Sequence, residues 1–81
     1  MRWRAEWVTE PSRDHDLCLD LYEEEAHRAR IQWNDRGQVE LMCWGSGIAI
    51  PAEWLLQVVP DFIAQTRHLG RRRGPEDGGA S

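Results

Sequence analysis

Two stretches of strict alternation, separated by a turn signature, lie between His27 and Trp44, and they restrict the fold more than any other feature of the chain. Ala29, Ile31 and Trp33 alternate with Arg28, Arg30, Gln32 and Asn34. Successive strand residues point to opposite faces, so this period of two predicts a strand with one apolar and one polar side. Asn34-Asp35-Arg36-Gly37 follows, and a loop closing on glycine fits a type I turn whose glycine takes the left-handed position of a bulge. The return strand, Gln38 to Trp44, sets Val39, Leu41 and Cys43 against Gln38, Glu40, Met42 and Trp44. The result is a hairpin with a defined inner and outer face.

The same parity extends upstream. Asp16 to Glu23 alternates Leu17, Leu19 and Leu21 with Cys18, Asp20 and Tyr22, and the acidic stretch Glu23 to Ala26 turns the chain, giving a three-stranded meander. Facing residues must share a face, which predicts Tyr22 opposite Arg28, Asp20 opposite Arg30, Arg28 opposite Trp44 and Arg30 opposite Met42. Arg2 to Val8 alternates as well and forms a fourth strand without a readable partner, joined by the polar loop Thr9 to His15.

After Gly45-Ser46-Gly47, a short extended piece Ile48-Ala49-Ile50 leads to Pro51, which suits a first helical residue. Leu55, Val58, Val59, Phe62 and Ile63 then recur at helical spacing and predict an amphipathic helix lying on the leucine face of the sheet. Pro60 falls inside this pattern, and its missing N–H and ring clash predict a kink or split near Val59. The expected fold is therefore α+β, an antiparallel meander of three to four strands with a C-terminal helix on one face. Residues 1–69 form one domain and 70–81, which lack apolar anchors, a disordered tail. Leu41, on the leucine face, reads as a core residue whose truncation to alanine costs about 2–5 kcal/mol.

Composition limits the function classes. A chain of 81 residues has room for one modest core and no roomy enclosed active site. No apolar run is long enough to span a membrane and no signal region follows Met1, so the cytoplasm is the expected compartment and a membrane partner is not. Cys18 and Cys43 lack paired metal or redox spacing and read as thiols, and they fall on opposite sheet faces, which speaks against a shared zinc site. His15, His27 and His68 sit in different elements and no serine or cysteine has a nucleophile context, so the chain is expected to be neither an enzyme nor a cofactor carrier. The net charge of -4 opposes a non-specific grip on duplex DNA.

The outer face carries what remains. Parity lines up Tyr22, Arg28 and Trp44 in one cross-strand row and Asp20, Arg30 and Met42 in the next. Aromatic and arginine side chains in a row can anchor a protein partner or stack unpaired bases beside phosphates. Arg28 sandwiched between the rings as a simple surface ladder, or Trp3 and Trp7 covering the face, would make it merely structural. Glu23, Glu24 and Glu25, grouped with Asp14, Asp16 and Asp20, form an acidic end that would steer a basic partner.

Gly47-Ile48-Ala49-Ile50-Pro51-Ala52-Glu53-Trp54, following strands and opening a single helix, resembles the transcriptional positive-cofactor family of single-stranded-DNA binders over about forty residues. The resemblance implies a sheet with a C-terminal helix, dimerisation through that helix, and single-strand binding on the sheet. The chain departs from that family in being acidic and lysine-free, without a lysine-rich β-ribbon.

The leading expectation is a small regulator or inhibitor that binds another protein, of the immunity, antitoxin or phage-inhibitor type. Its contact surface comprises Tyr22, Arg28, Arg30, Met42, Trp44, Glu23, Glu24 and Glu25. A single-stranded nucleic-acid binder using the arginine and aromatic face is the alternative, and a homodimer through a strand edge or the helix is compatible with both.

Overall fold

The computed structural model describes residues 2–13 and 16–73. Four strands, β1 (Trp3–Glu10), β2 (Asp16–Glu23), β3 (Ala26–Trp33) and β4 (Val39–Cys43), form an antiparallel meander in sequence order, followed by one helix, α1 (Ala52–Arg73). The α+β architecture expected from the alternation is the one observed. β1, whose partner could not be read from the sequence, pairs with β2 from Trp3 opposite Glu23 to Glu10 opposite Asp16. The segment expected as a loop from Thr9 instead extends β1 to Glu10 and continues as a short 3-10 turn, Pro11–Arg13.

The β3–β4 hairpin follows the turn chemistry. Gly37 takes φ 75°, the Asn34 amide donates to the Gln38 carbonyl at 2.8 Å, and Asn34 Oδ1 accepts from the Arg36 and Gln38 amides, each at 2.9 Å. The β2–β3 hairpin is tighter than the sequence suggested. Glu23 pairs directly with Ala26, so only Glu24 and Glu25 form the turn, and Glu24 occupies the left-handed region at φ 57°. That shortening is absorbed by a register shift between Leu21 and Tyr22, which places His27 rather than Arg28 opposite Tyr22. Below the shift the expected pairing holds, with Asp20 opposite Arg30 and Arg30 opposite Met42.

The odd-numbered strand faces and α1 enclose the core of Trp3, Leu19, Leu21, Ala29, Ile31 and Phe62. The helix crosses the sheet obliquely. Near its start Trp54 packs against Trp3, with ring centroids 5.8 Å apart; further along Phe62 stacks on Trp7 at 5.8 Å; near its end Thr66 meets Trp33 of β3. β4 therefore escapes full cover. Leu41 is 43% exposed, so the core-sized loss expected from its truncation belongs instead to the fully enclosed Leu21 and Ile31.

The Leu55 amide donates to the Pro51 carbonyl at 3.1 Å and opens α1. The backbone leaves helical torsions at Thr66 (φ -126°, ψ 18°), not at Pro60, where the sequence placed the break. Thr66 Oγ1 donates to the Phe62 carbonyl at 2.6 Å, a back-bond of the kind that bends helices. Pro60 stands on the exposed side of α1, where a carbonyl left without its helical partner is not forced into the core. The helix continues to Arg73, with Leu69 and Gly70 buried. Residues 74–81, the rest of the expected tail, lie outside the described residues.

Candidate functional site

The outer face is built from the even-numbered residues of the strands, and the bulge decides its central row. Because His27 replaces Arg28 opposite Tyr22, the observed ladder runs Arg4, Tyr22, His27 across β1, β2 and β3 and on to Trp44, just past the end of β4. The Arg4 guanidinium lies 4.4 Å above the Tyr22 ring. The Tyr22 and His27 rings stack at 5.0 Å, and His27 meets Trp44 edge-on at 5.1 Å. Arg28 is next to this row rather than in it. Its backbone carbonyl accepts from the Trp44 amide at 2.9 Å, which keeps the two residues opposite each other as expected, while its Nε stands 3.3 Å from Glu23 Oε1.

The tryptophans of β1 do not shield this surface. Trp3 and Trp7 both pack toward α1, which removes the reading in which they cover the outer face. Trp44 and Met42 remain 36% and 38% exposed, and Tyr22 and His27 are half-buried in the ladder.

The second row is an electrostatic clamp. Arg30 Nε donates to Asp20 Oδ1 at 2.6 Å, Nη2 to Oδ2 of the same carboxylate at 3.3 Å, and Nη1 to Glu10 Oε1 at 2.6 Å. A forked, doubly occupied guanidinium of this kind is a strong geometry for a charge-assisted pair. The hydrogen bonds that Arg30 donates to Asp20 raise its pKa, burial opposes them, and that to Glu10 adds to the rise. Reciprocally, Arg30 first and Ser12 second hold the Glu10 carboxyl below its ordinary value. His27 Nε2 approaches Asp20 Oδ1 at 3.4 Å without hydrogen-bond geometry.

This clamp also roofs a thiol. Glu10 stands at the level of Asp16, and Arg30 at the level of Asp20, so the bridge from β1 to β3 passes over Cys18 on β2. Cys18 is 1% exposed, and its neighbours on that face, Asp16, Asp20 and Gln32, are buried with it. Cys43, on the opposite side of the sheet, is exposed, and neither cysteine forms a disulfide.

The acidic end foreseen from the sequence is dispersed. Asp16 lies at the far end of β2 from Glu23, and Asp20 sits mid-strand under Arg30; Asp14 lies outside the described residues. Glu23 bridges Arg2 and Arg28, leaving Glu24 and Glu25 exposed at the turn. Arg4 pairs with Glu6 in addition to covering Tyr22. Each of Arg2, Arg4, Arg28 and Arg30 thus lies against a carboxylate.

Sequence reasoning missed His27, Arg4, Glu10 and the roof over Cys18. For His27 the signal would have been the bulge between β2 and β3, which carries no glycine, asparagine or proline to announce it; Arg4 and Glu10 depended on the pairing of β1 with β2, which the sequence left unread. A separate shallow cleft on the helix side is lined by Trp7, Leu17, Asp61 and Gln65, and no titratable pair converges there. No helix among the described residues is long and apolar enough to cross a membrane. No family model, curated protein or solved structure matches this chain.

Proposed function

We propose that this chain is a small, non-enzymatic binding protein that regulates or inhibits another protein through its outer sheet face. The observation that carries this reading is the commitment of Arg30, whose Nε, Nη1 and Nη2 are all engaged by Asp20 and Glu10. A phosphate would have to displace two carboxylates to reach it. Arg28 stands in ion-pair contact with Glu23, its Nε 3.3 Å from Oε1, so the face offers aromatic surface framed by acidic groups rather than cations clear of carboxylates. Exposed Trp44 and Met42 beside the stacked Tyr22 and His27 have the composition of a protein hot spot. Exposed Glu24 and Glu25 at one end favour a partner with basic residues around its contact patch.

The single-stranded nucleic-acid reading draws support from the same aromatic ladder, since every base has a face that can stack. Fluorescence anisotropy of a labelled single-stranded oligonucleotide, at low and moderate salt with a duplex control, separates the two. The protein-binding reading expects no salt-sensitive binding to the oligonucleotide. It also expects a native-host partner captured by the wild type and lost with Trp44→Ala and with Glu24→Arg/Glu25→Arg, while circular dichroism stays unchanged. Tight binding to the single strand that weakens steeply with salt would overturn it.

A further inference from the structure

We infer that two copies of this chain associate through their β4 edges, continuing the sheet across a two-fold axis at Leu41. The backbone parity of β4 sets the geometry. The Asn34 amide bonds the Gln38 carbonyl and the Trp44 amide bonds the Arg28 carbonyl, so the even residues of β4 direct their backbone groups toward β3. In an antiparallel ladder the bonded residues alternate. Val39, Leu41 and Cys43 therefore direct theirs outward from the sheet edge.

A two-fold axis at Leu41 pairs every one of these outward residues. Leu41 faces Leu41 of the second copy, and Val39 faces the second copy's Cys43. Each pair exchanges both of its backbone hydrogen bonds. The same register sets Glu40 against Met42, so the charged residue of β4 never meets its own copy. Even residues face even residues, which keeps both helices on one side and joins the two outer faces into one surface.

The side chains favour this edge. Leu41 and Met42 are 43% and 38% exposed, on opposite faces of the same strand, and Trp44 follows at 36%. Proteins that keep a sheet edge unpaired guard it with charge, proline or cover, and Val39–Cys43 carries Glu40 as its sole charge and no proline. β1, the other edge, carries Arg4, Glu6 and Glu10, and its exposed Trp7 is already stacked on Phe62. A second copy of β4 matches the edge in hydrogen bonding, apolar character and charge at once.

Sedimentation velocity of the full chain at micromolar concentrations is expected to show a dimer. Leu41→Lys sets like charges against each other at the axis and is expected to raise the dissociation constant by at least ~10-fold, with circular dichroism reporting an intact fold. Val39→Cys tests the register independently, because a directly bonded antiparallel pair holds its Cα atoms about 5.5 Å apart, within disulfide reach. On oxidation Val39→Cys is expected to yield a covalent dimer with native Cys43, and Val39→Cys/Cys43→Ser to yield none. A monomeric wild type, a dimer undisturbed by Leu41→Lys, or cross-linking that does not need Cys43 would each overturn the inference.

Discussion

Trp33 donates its indole Nε1 hydrogen to Thr66 Oγ1 across 2.7 Å, and Thr66 sits where α1 leaves helical torsions. One hydroxyl thus takes part in two bonds, accepting from β3 and donating back to the Phe62 carbonyl. Beyond the bend Gly70 lies against the same indole, where a Cβ would stand 2.4 Å from Trp33 Cζ3. Thr66→Val keeps the shape and deletes the acceptor, leaving the indole N–H without its partner. A loss of about 1–3 kcal/mol is expected in urea unfolding. Gly70→Ala must push the ring aside, and an overpacking cost of about 1–3 kcal/mol is expected. A neutral Gly70→Ala would mean that the end of α1 does not bear on Trp33.

The clamp over Cys18 gives a different kind of prediction. Asp20 is 4% exposed and its two oxygens are held by Arg30, so Arg30→Ala leaves a buried carboxylate without its cation. A loss of about 3–5 kcal/mol is expected. Arg30→Lys keeps the charge but not the fork and should recover only part of it. The acid limb follows from Glu10. Its carboxyl is held below its ordinary value of 4.5 by Arg30, so its folded pKa is depressed. Its contribution is complete above the unfolded value and disappears as pH falls through the lower folded value. The urea midpoint should drop as pH falls below 4.5, and Glu10→Gln should make that drop shallower. Parallel profiles for wild type and variant would detach Glu10 from acid stability.

The sheet was legible because Leu17, Leu19 and Leu21, Ala29, Ile31 and Trp33, and Val39 and Leu41 share a parity, and parity fixes which faces meet. The helix was legible from the stripe Leu55, Val58, Val59, Phe62, Ile63. Two features were not. The register shift at Tyr22 accompanies a two-residue turn in which Glu24 adopts φ 57°, a conformation that glycine or asparagine advertises and glutamate does not. The kink at Thr66 depends on Trp33, a contact between residues 33 positions apart, whereas Pro60 carries a local signal that tertiary packing overrode. The site inherited the first error, since one extra residue moved His27 into the row and Arg28 out of it.

Core truncations should divide sharply by cover. Leu21 is fully enclosed between β1, β3 and α1, whereas Leu56 is 73% exposed on the same helix that closes the core. Leu21→Ala is expected to cost about 2–5 kcal/mol and Leu56→Ala less than about 0.5 kcal/mol, measured by thermal or urea unfolding at matched concentration. Similar costs for the two would mean that α1 lies on the sheet by a different face.

Thiol labelling tests whether Arg30 and Glu10 really roof the outer face. Cys43 is exposed and Cys18 is 1% exposed, and a thiol reacts only when reagent can reach its thiolate. Native protein mixed with a disulfide reagent should release one equivalent quickly, from Cys43, and a second only as the fold opens. Cys43→Ser should abolish the fast phase. Glu10→Ala removes one end of the bridge without leaving a buried carboxylate, because Asp20 keeps its own bonds to Arg30. It should therefore speed Cys18 labelling well beyond any change in global unfolding rate. If Cys18 in Glu10→Ala still labels only at the unfolding rate, the bridge is not what shields it, and the burial of Cys18 must come from elsewhere on that face.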